Sequence, residues 1–270
     1  MKNLFRFAKM SDRRDLIDLW YTCFGDSEKF VSPFLDCFLK EDTAYVSEEA
    51  GKVVSVVYAL DCMIGDKKAC YFYAVATDYN FRRRGLARKE IEFLIDYKKK
   101  QGAEVFLLTA SSEKNNAYYK TMGFEDSFYC NKKTFEKTDK KVPVTTDFDE
   151  DEIFALRKKV FSGDKFVSFE KNHVDFAIKF SDAVYVWREN GEITAYAMTD
   201  GKKITELCCE KDKEAFVSSV LEKIDAEKAH IYLPLRDEDC CKISRGMVYC
   251  SDRKISKDTG DRVFLSHNLE

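Results

Sequence analysis

Four arginines fall within one short stretch, residues 82–88, and they are the first residues whose type and spacing suggest chemistry. The stretch has the spacing Arg-x-x-Gly-x-Ala around Gly85. An aromatic and β-branched run precedes it at 71–77, and a segment with helical apolar spacing follows at 88–100. The first N–H groups of a helix lack intrahelical acceptors, the helix dipole adds positive potential, and glycine permits close approach of a ligand. The stretch therefore predicts a phosphate or pyrophosphate site, with a solvated basic loop as the alternative.

The rest of the first half predicts helices and strands that would position this loop. Apolar spacing near 3.6 residues indicates helices, and β-branched runs bounded by turn residues indicate strands. In chain order we expect a strand at 4–8, a helix from 12 capped by Ser11, a helix at 27–39, a hairpin at 43–59 turning at 49–51, the strand at 71–77, the helix at 88–100, a buried strand at 104–109, and a short helix ended by Gly123.

A second pattern, Asn-Ala-Tyr-Tyr-Lys-Thr-Met-Gly-Phe, follows the loop at residues 116–124. With the order of elements, the two motifs make residues 1–140 resemble the GNAT superfamily of acyl-CoA-dependent N-acyltransferases. Residues 75–87 are similar to the family's pyrophosphate loop. Residues 116–124 are similar to its second signature, in which a tyrosine four residues before the glycine faces the thioester sulfur. The chain departs from the family at Tyr79, where many members have proline.

This resemblance implies a binding site for acetyl-CoA. The loop N–H groups would hold the pyrophosphate, with charge-assisted bonds from the arginines. Exposed backbone groups at Val75 and Thr77 would pair with pantetheine, beside a bulge that opens the sheet in this family. Tyr119 would be the general acid that protonates the leaving thiolate, with a core tyrosine as the alternative. The predicted cofactor-binding residues are Val75, Thr77, Arg82, Arg83, Arg84, Gly85, Leu86, Ala87, Arg88 and Asn116.

The general base stays open at this point. An alkylammonium acceptor must lose a proton before it attacks, because its pKa is about 10. Asp61, at the end of the second hairpin strand, and Glu104, at the start of the buried strand, could act through water, or each could be a surface residue. If the chain resembles tandem acyltransferases that acetylate aminoglycosides or other polyamines, its terminal carboxylate makes Glu270 another candidate.

The second half repeats the pattern of the first. Residues 184–196 align with residues 44–56 at a constant offset of 140, and helical segments, a strand, a helix and a buried strand recur around them in the same order. The arginine loop is replaced by Glu-Lys-Asp-Lys-Glu-Ala at 210–215, and Lys242 stands four residues before Gly246, as Tyr119 does before Gly123. We expect two domains, a catalytic one at 1–140 and a degenerate copy at 145–270 that shapes the acceptor pocket.

The composition excludes several classes of protein. The chain has 270 residues, of which 45% are hydrophobic and 34% charged, and its net charge is −3. It contains no apolar run of membrane-spanning length and no signal-peptide pattern, so we expect a cytoplasmic protein with no membrane partner. Three histidines and ten cysteines without a Cys-x-x-Cys motif predict no metal site. A nucleic-acid protein would need a basic face around the arginines, and none accompanies them.

These observations predict an α+β protein with a mixed sheet and the GNAT fold. The predicted activity is transfer of an acetyl group from acetyl-CoA to a primary amine of a small molecule or peptide. The alternative is a non-catalytic acyl-CoA-binding or sensing module whose second domain binds a partner. Tyr119 separates the two, because a binding module does not need it.

Overall fold

The computed structural model describes residues 4–161, 166–235, 242–250 and 263–265, and these residues form a mixed α+β fold, as predicted. The helices are Arg13–Phe24 (α1), Glu28–Phe38 (α2), Leu86–Lys100 (α3), Glu113–Lys120 (α4), Glu150–Val160 (α5), Lys171–Phe180 (α6) and Lys213–Lys223 (α7). The strands are Leu4–Phe7 (β1), Ala44–Glu49 (β2), Lys52–Ile64 (β3), Lys67–Thr77 (β4), Val105–Leu108 (β5), Glu125–Glu136 (β6), Val167–Phe169 (β7), Ala183–Glu189 (β8), Glu192–Asp200 (β9), Lys203–Cys209 (β10), Lys228–Pro234 (β11) and Ile243–Cys250 (β12).

The start of α1 differs from the sequence prediction. A 3-10 turn at Met10–Asp12 precedes the helix, and Asp12, not Ser11, is the N-cap residue. The Asp12 carboxylate accepts a hydrogen bond from the backbone N–H of Lys9 at 2.7 Å and two from the Arg6 guanidinium at 2.6 and 2.9 Å. The prediction that Ser11 caps the helix was wrong because a carboxylate with three donors fixes the chain one residue later.

The described residues divide into two compact units that are not continuous along the chain. The first contains 4–63, 67–126 and 246–250, and its sheet has the order β1-β2-β3-β4-β5-β12. In this sheet β4 and β5 are parallel, while β12 is antiparallel to β5 through residues 247–250. In the second unit β6 is antiparallel to β11, and β10-β9-β8 form a three-stranded sheet. The strand that follows α4 thus belongs largely to the second unit, and the division into 1–140 and 145–270 stays a prediction.

The two hairpins, β2–β3 and β8–β9, pair their residues in the same register at an offset of 140. Ser47 lies opposite Ser55, and Trp187 lies opposite Ala195. Each hairpin has an irregularity directly after that pair, and each turn has two residues of positive φ, Ala50-Gly51 and Asn190-Gly191. The hairpins therefore have the same local backbone design, although different side chains cover them.

The structure does not support one of the sequence matches between the two halves, the match of Lys242 and Gly246 with Tyr119 and Gly123. Gly123 follows α4 with a φ of 89°, where it ends the helix. Gly246 lies inside β12, and Lys242 directly precedes that strand. The prediction that Lys242 corresponds to Tyr119 was wrong, because a four-residue spacing before glycine does not distinguish a helix end from a strand.

The core of the first unit lies on both faces of its sheet. On one face, Trp20 of α1 packs against Phe34 of α2 and Tyr58 of β3, with ring centroids 4.8 and 5.7 Å away. On the other, apolar residues of α3 and α4 cover β4 and β5. Burial of such side chains contributes about 1.5–3 kcal/mol each. None of the helices within the described ranges has the length and apolar character needed to cross a membrane.

Candidate active site

The sheet of the first unit opens between β4 and β5. The two strands pair from Ala69–Val105 to Phe72–Leu108, where β5 ends, while β4 continues to Thr77. Within this extension Ala74 has a φ of 46°, a left-handed conformation that is typical of a bulge in a strand. The edge of β4 after Phe72 is therefore not paired with β5. It offers backbone groups to an extended ligand that adds to the sheet as a strand would.

The arginine-rich loop follows directly after this open edge. Gly85 is the N-cap residue of α3 and has a φ of 73°, and Arg83 has a φ of 63°. The Lys89 N–H donates to the Gly85 carbonyl at 3.2 Å, so the N–H groups of residues 86–88 come before the first helical hydrogen bond. A Cβ on Gly85 would meet no atom within 4 Å, which shows that the space in front of the N-cap is open. Open N–H groups at a helix N-terminus form an anion site.

The arginines of the loop have different tasks. Arg82 donates from Nε to the Thr77 carbonyl at 2.9 Å, and Arg84 donates to the Asn80 carbonyl at 3.1 Å. Both side chains therefore hold the loop in shape. Arg83, by contrast, makes no hydrogen bond or ion pair with any residue that the structure describes, which leaves its guanidinium available for an anion.

Arg84 and Arg88 are held further by charged and aromatic neighbours. Arg84 lies 3.4 Å from the Glu49 carboxylate, and its guanidinium is 4.7 Å from the Phe81 ring centroid. Arg88 donates to the Thr121 hydroxyl and lies 3.6 Å from the Glu92 carboxylate. Arg84 and Glu92 are exposed, while Arg88 and Glu49 are partly buried, and ion pairs at the protein surface are worth about 0–1 kcal/mol. A polyanionic ligand can therefore redirect these arginines at low cost.

Tyr119 lies near the end of α4 and is buried, with 8% of its surface exposed. Its ring packs at 6.0 Å from Phe124 and 5.3 Å from Tyr118. The hydroxyl has no hydrogen-bond partner among the described residues. Burial, and to a lesser degree Tyr118, raises the pKa of the Tyr119 phenol well above its ordinary value. The phenol is thus protonated throughout the neutral range and has a hydrogen to donate.

Asn116 uses its side-chain amide within the fold. Its Nδ2 donates to the Asp126 carboxylate at 2.8 Å, and Lys120 also donates to that carboxylate. Burial works to raise the pKa of Asp126, but the bonds from Lys120 and Asn116 outweigh it and the pKa is lowered. An ionised Asp126 therefore orients the Asn116 side chain.

The two carboxylates that the sequence suggested as general bases both lie away from the loop. Asp61 pairs with Lys98 at 3.0 Å, near the C-terminal end of α3. That end is about 20 Å from the Gly85 N-cap, at about 1.5 Å of rise per residue. Glu104 donates its backbone N–H to the Lys68 carbonyl, at the opposite end of β4 from the arginine loop. Glu270, a further suggestion, lies outside the described residues.

Sequence analysis missed one acidic residue near the loop, Glu90. It lies on α3, is completely buried, and accepts hydrogen bonds from Ser47 and Ser55 at 2.6 and 2.8 Å. Burial raises the pKa of Glu90 to about 7, against the opposing effect of the two serine hydroxyls. A signal was present, because Glu90 falls on the same helical stripe as the buried residues Ile91 and Leu94, where a polar residue is unexpected.

No group of His, Cys, Asp and Glu side chains within the described ranges is arranged to hold a metal ion.

The open sheet edge, the open N-cap of α3 and the buried Tyr119 all belong to the first unit. Residues 5–126 match the family model described as "Acetyltransferase (GNAT) domain". This part of the chain belongs to the GNAT superfamily, as the sequence motifs indicated.

Solved structures share the fold over nearly the whole chain. A conserved protein of unknown function from Enterococcus faecalis V583, described as a probable N-acyltransferase, matches with a TM-score of 0.76 and 13% identity, over 95% of this chain and 74% of that one. A GCN5-related N-acetyltransferase from Kribbella flavida matches with a TM-score of 0.71 and 14% identity, over 94% and 72%. Eis1 from Mycobacterium abscessus matches with a TM-score of 0.65 and 11% identity, over 95% and 75%. At such identities the likeness shows the fold. No curated protein matches the chain in sequence.

Proposed function

We propose that the protein is an N-acetyltransferase that moves the acetyl group of acetyl-CoA to a primary amine of a small molecule or peptide. The observation that carries this proposal is the continuity between the part of β4 that extends beyond its pairing with β5 and the open N-cap at Gly85. An acyl-CoA needs an extended groove for pantetheine that leads directly to a site for its diphosphate. Both occur here within residues 73–88 of the first unit.

In the proposed binding mode, the diphosphate accepts hydrogen bonds from the N–H groups of residues 83–88. Arg83 is the side chain best placed to add a charge-assisted bond, because the described residues do not engage it. The pantetheine arm pairs with the β4 backbone near Val75. The Thr77 carbonyl already accepts from Arg82, so the ligand would use the remaining groups of this edge.

In the proposed reaction, the neutral amine nitrogen attacks the thioester carbonyl carbon. An N–C bond forms, the C–S bond breaks, and the amine proton passes to solvent through a base that the described residues do not identify. Negative charge develops on the departing sulfur, and the Tyr119 hydroxyl donates a hydrogen bond to it. Because a phenol with a raised pKa is a weaker acid than a thiol of pKa about 8.5, we assign Tyr119 a hydrogen bond that strengthens in the transition state, with proton transfer completed late.

A second function, a non-catalytic acyl-CoA-binding module, is favoured by one observation. Tyr119 lies in an apolar cluster, as a purely structural tyrosine would. In this case the same groove and loop hold acyl-CoA, and no acceptor amine is needed.

The test is release of free CoA thiol from acetyl-CoA in the presence of a panel of amines. Wild type is compared with Tyr119→Phe and with the neighbouring control Tyr118→Phe. Amine-dependent thiol release that Tyr119→Phe alone abolishes supports the transferase. Tight acetyl-CoA binding without turnover on any amine supports the binding module, and absence of acetyl-CoA binding contradicts both.

We also propose that the protein works in the cytoplasm. All cysteines within the described ranges are free thiols, several of them buried, as expected in a reducing compartment. Detection of the protein in the soluble fraction of fractionated cells, and its absence from the secreted fraction, would support this location.

A further inference from the structure

Glu90 is a buried carboxylate without a cation. Its side chain is 0% exposed, and no Lys or Arg of the described residues pairs with it. Its partners are two neutral hydroxyls, Ser47 of β2 at 2.6 Å and Ser55 of β3 at 2.8 Å. A buried charge is costly unless it is paired, so such a group is poised to exchange a proton.

The hydrogen bonds of Glu90 continue to the strand that forms the pantetheine groove. Ser55 Oγ lies 3.0 Å from the Ala76 carbonyl and 2.9 Å from Thr77 Oγ1, both in β4. A serine hydroxyl has only one hydrogen to donate. When Glu90 is ionised, Ser55 donates to the carboxylate. When Glu90 is protonated, the carboxyl O–H can donate to Ser55, and the serine hydrogen is free for the Ala76 carbonyl.

The second half of the chain shows that the fold does not need this polar cluster. At the offset of 140, Ser47 and Ser55 correspond to Trp187 and Ala195, in a hairpin of identical register. Counted from the helix N-cap, Glu90 corresponds to Val217 of α7. These three residues belong to one apolar cluster in the second unit. Among the described residues, the arrangement of two serines around a buried glutamate therefore occurs in the half that has the arginine loop, and apolar residues take its place in the other half.

Glu90 also lies close to the predicted anion. It follows Leu86, the first residue of α3, by about one helical turn, or roughly 5–6 Å along the axis. A diphosphate at the N-terminus of α3 would bring negative charge toward a buried carboxylate. A nearby like charge favours the neutral form of a carboxyl group.

We propose that Glu90 is a positioning residue of the acyl-CoA site, which takes up a proton when a diphosphate occupies the Arg83–Ala87 loop and then fixes β4 through Ser55. The inference rests on the proposed acetyl-CoA site. Its geometry agrees with the effect of burial, which raises the pKa of Glu90 to about 7 and leaves the group partly ionised near neutral pH in the free protein.

The other charged and titratable groups around Glu90 do not compete for this role. Tyr45 of β2 and Tyr118 of α4 interact with it electrostatically, and both have raised pKa values, chiefly through burial, so they stay neutral. The remaining charges on the packed elements are engaged elsewhere or exposed: Arg6 of β1 binds Asp12 and Glu48, Glu49 of β2 pairs with Arg84, Lys52 of β3 is exposed, and Lys89 of α3 lies over the Phe5 ring.

The experiment is calorimetric titration of the full chain with acetyl-CoA at pH 7 in two buffers of different ionisation enthalpy, which gives the number of protons taken up. A group of pKa about 7 that becomes fully protonated on binding takes up roughly 0.4–0.5 proton. We expect the proton uptake of wild type to exceed that of Glu90→Gln by this amount.

The two proteins should also differ in how acetyl-CoA affinity depends on pH. Glutamine donates to Ser55 at every pH, whereas Glu90 must first take up a proton. Between pH 6 and pH 8 the affinity of wild type should therefore fall about tenfold relative to the affinity of Glu90→Gln. Asp96→Asn, which removes an exposed carboxylate from the same helix, is the matched control and should behave as wild type.

A second variant keeps the proposal testable if Glu90→Gln does not fold. Ser55→Ala introduces the residue of the matching hairpin and removes one hydrogen bond to the ionised carboxylate. We expect its proton uptake to reach a maximum at higher pH than in wild type. Binding of acetyl-CoA with equal proton uptake by wild type, Glu90→Gln and Ser55→Ala overturns this inference and leaves the proposed function intact. Absence of any acetyl-CoA binding by wild type overturns the proposed function, and this inference with it.

Discussion

A hairpin, a strand and a helix with a left-handed N-cap follow one another in both units of this protein, but the loops before the two helices carry opposite charge. In the first unit the hairpin β2–β3 and the strand β4 lead to α3, whose N-cap Gly85 has a φ of 73°. In the second unit the hairpin β8–β9 and the strand β10 lead to α7, whose N-cap Asp212 has a φ of 47°. Both N-caps are left-handed. The loop of the first has arginines, while that of the second has the sequence Glu-Lys-Asp at 210–212.

The comparison extends to the contact between hairpin turn and loop. Arg84 reaches Glu49 at the end of β2, and Lys211 likewise pairs with Glu189 at the end of β8. The acidic turn residue and the basic loop residue are thus present in both units. The difference lies in what remains after this pairing: an available arginine and an uncharged N-cap in one unit, and an N-cap carboxylate in the other. The backbone geometry of the two N-caps is alike, so we propose that side-chain charge decides which copy can bind acyl-CoA.

The largest effect is expected at the residue with no counterpart in the second unit. Tyr119→Phe should lower kcat by about 100- to 1000-fold and change the KM for acetyl-CoA by less than threefold, because the hydroxyl acts on the departing sulfur only as charge develops. Burial keeps the phenol protonated, so its ionisation should cause no loss of activity below about pH 10. Steady-state kinetics across pH would measure both effects. An equal loss in Tyr118→Phe would point to disturbed packing instead.

Removing the buried carboxylate should change how stability depends on pH. The folded pKa of Glu90, about 7, lies above its ordinary value of 4.5, so the folded state binds more protons between these values and stability falls as pH rises through that window. As pH rises from 4.5 to 8, the free energy of unfolding of Glu90→Gln should therefore increase by up to about 3 kcal/mol relative to that of wild type. Urea unfolding at several pH values would measure this. If the difference in free energy of unfolding between the two proteins is the same at every pH, the carboxyl group does not titrate in the folded protein.

Giving the first unit the N-cap of the second should abolish tight binding. Asp212 shows that aspartate tolerates the left-handed N-cap, so Gly85→Asp should fold. A carboxylate about 5 Å from a diphosphate costs roughly 3 kcal/mol at an effective dielectric constant near 20, which corresponds to about 100-fold weaker acetyl-CoA binding. Gly85→Asn has the same shape without charge and should lose far less. If the two variants bind equally weakly, then backbone approach, and not charge, is what Gly85 provides.

The smallest effect is expected from single arginines. Arg83→Ala should weaken acetyl-CoA binding by about five- to tenfold and reduce its dependence on salt, because it removes one charge-assisted hydrogen bond to phosphate. Lys211→Ala, the loop cation of the second unit, should leave acetyl-CoA affinity unchanged, and wild type should bind one acetyl-CoA per chain. Titration calorimetry at two salt concentrations would measure affinity and stoichiometry together. A stoichiometry of two would show that the acidic loop binds the ligand as well.

Local sequence determined much of this architecture. Periodicity located the hairpins and α3, because the pattern of buried side chains repeats within each element. The spacing around Gly85, the second signature near Tyr119 and the order of the elements together indicated the GNAT superfamily, because a left-handed N-cap and a helix end each favour a particular residue. The constant offset of 140 between the hairpins was equally visible, and the strand registers follow it residue by residue.

Only the tertiary structure decided three other features. It showed that β12, from late in the chain, pairs with β5, because pairing between distant strands leaves no local pattern. It showed that Arg82 and Arg84 donate to backbone carbonyls while Arg83 has no such acceptor among the described residues. Identical side chains differ here only in the acceptors that the fold places near them. It placed Glu90 between two serines in the core and without a cation, so that burial controls the protonation of its carboxyl group. The sequence thus specifies which groups are present, while long-range packing sets their solvation and partners, and these determine what each group can do.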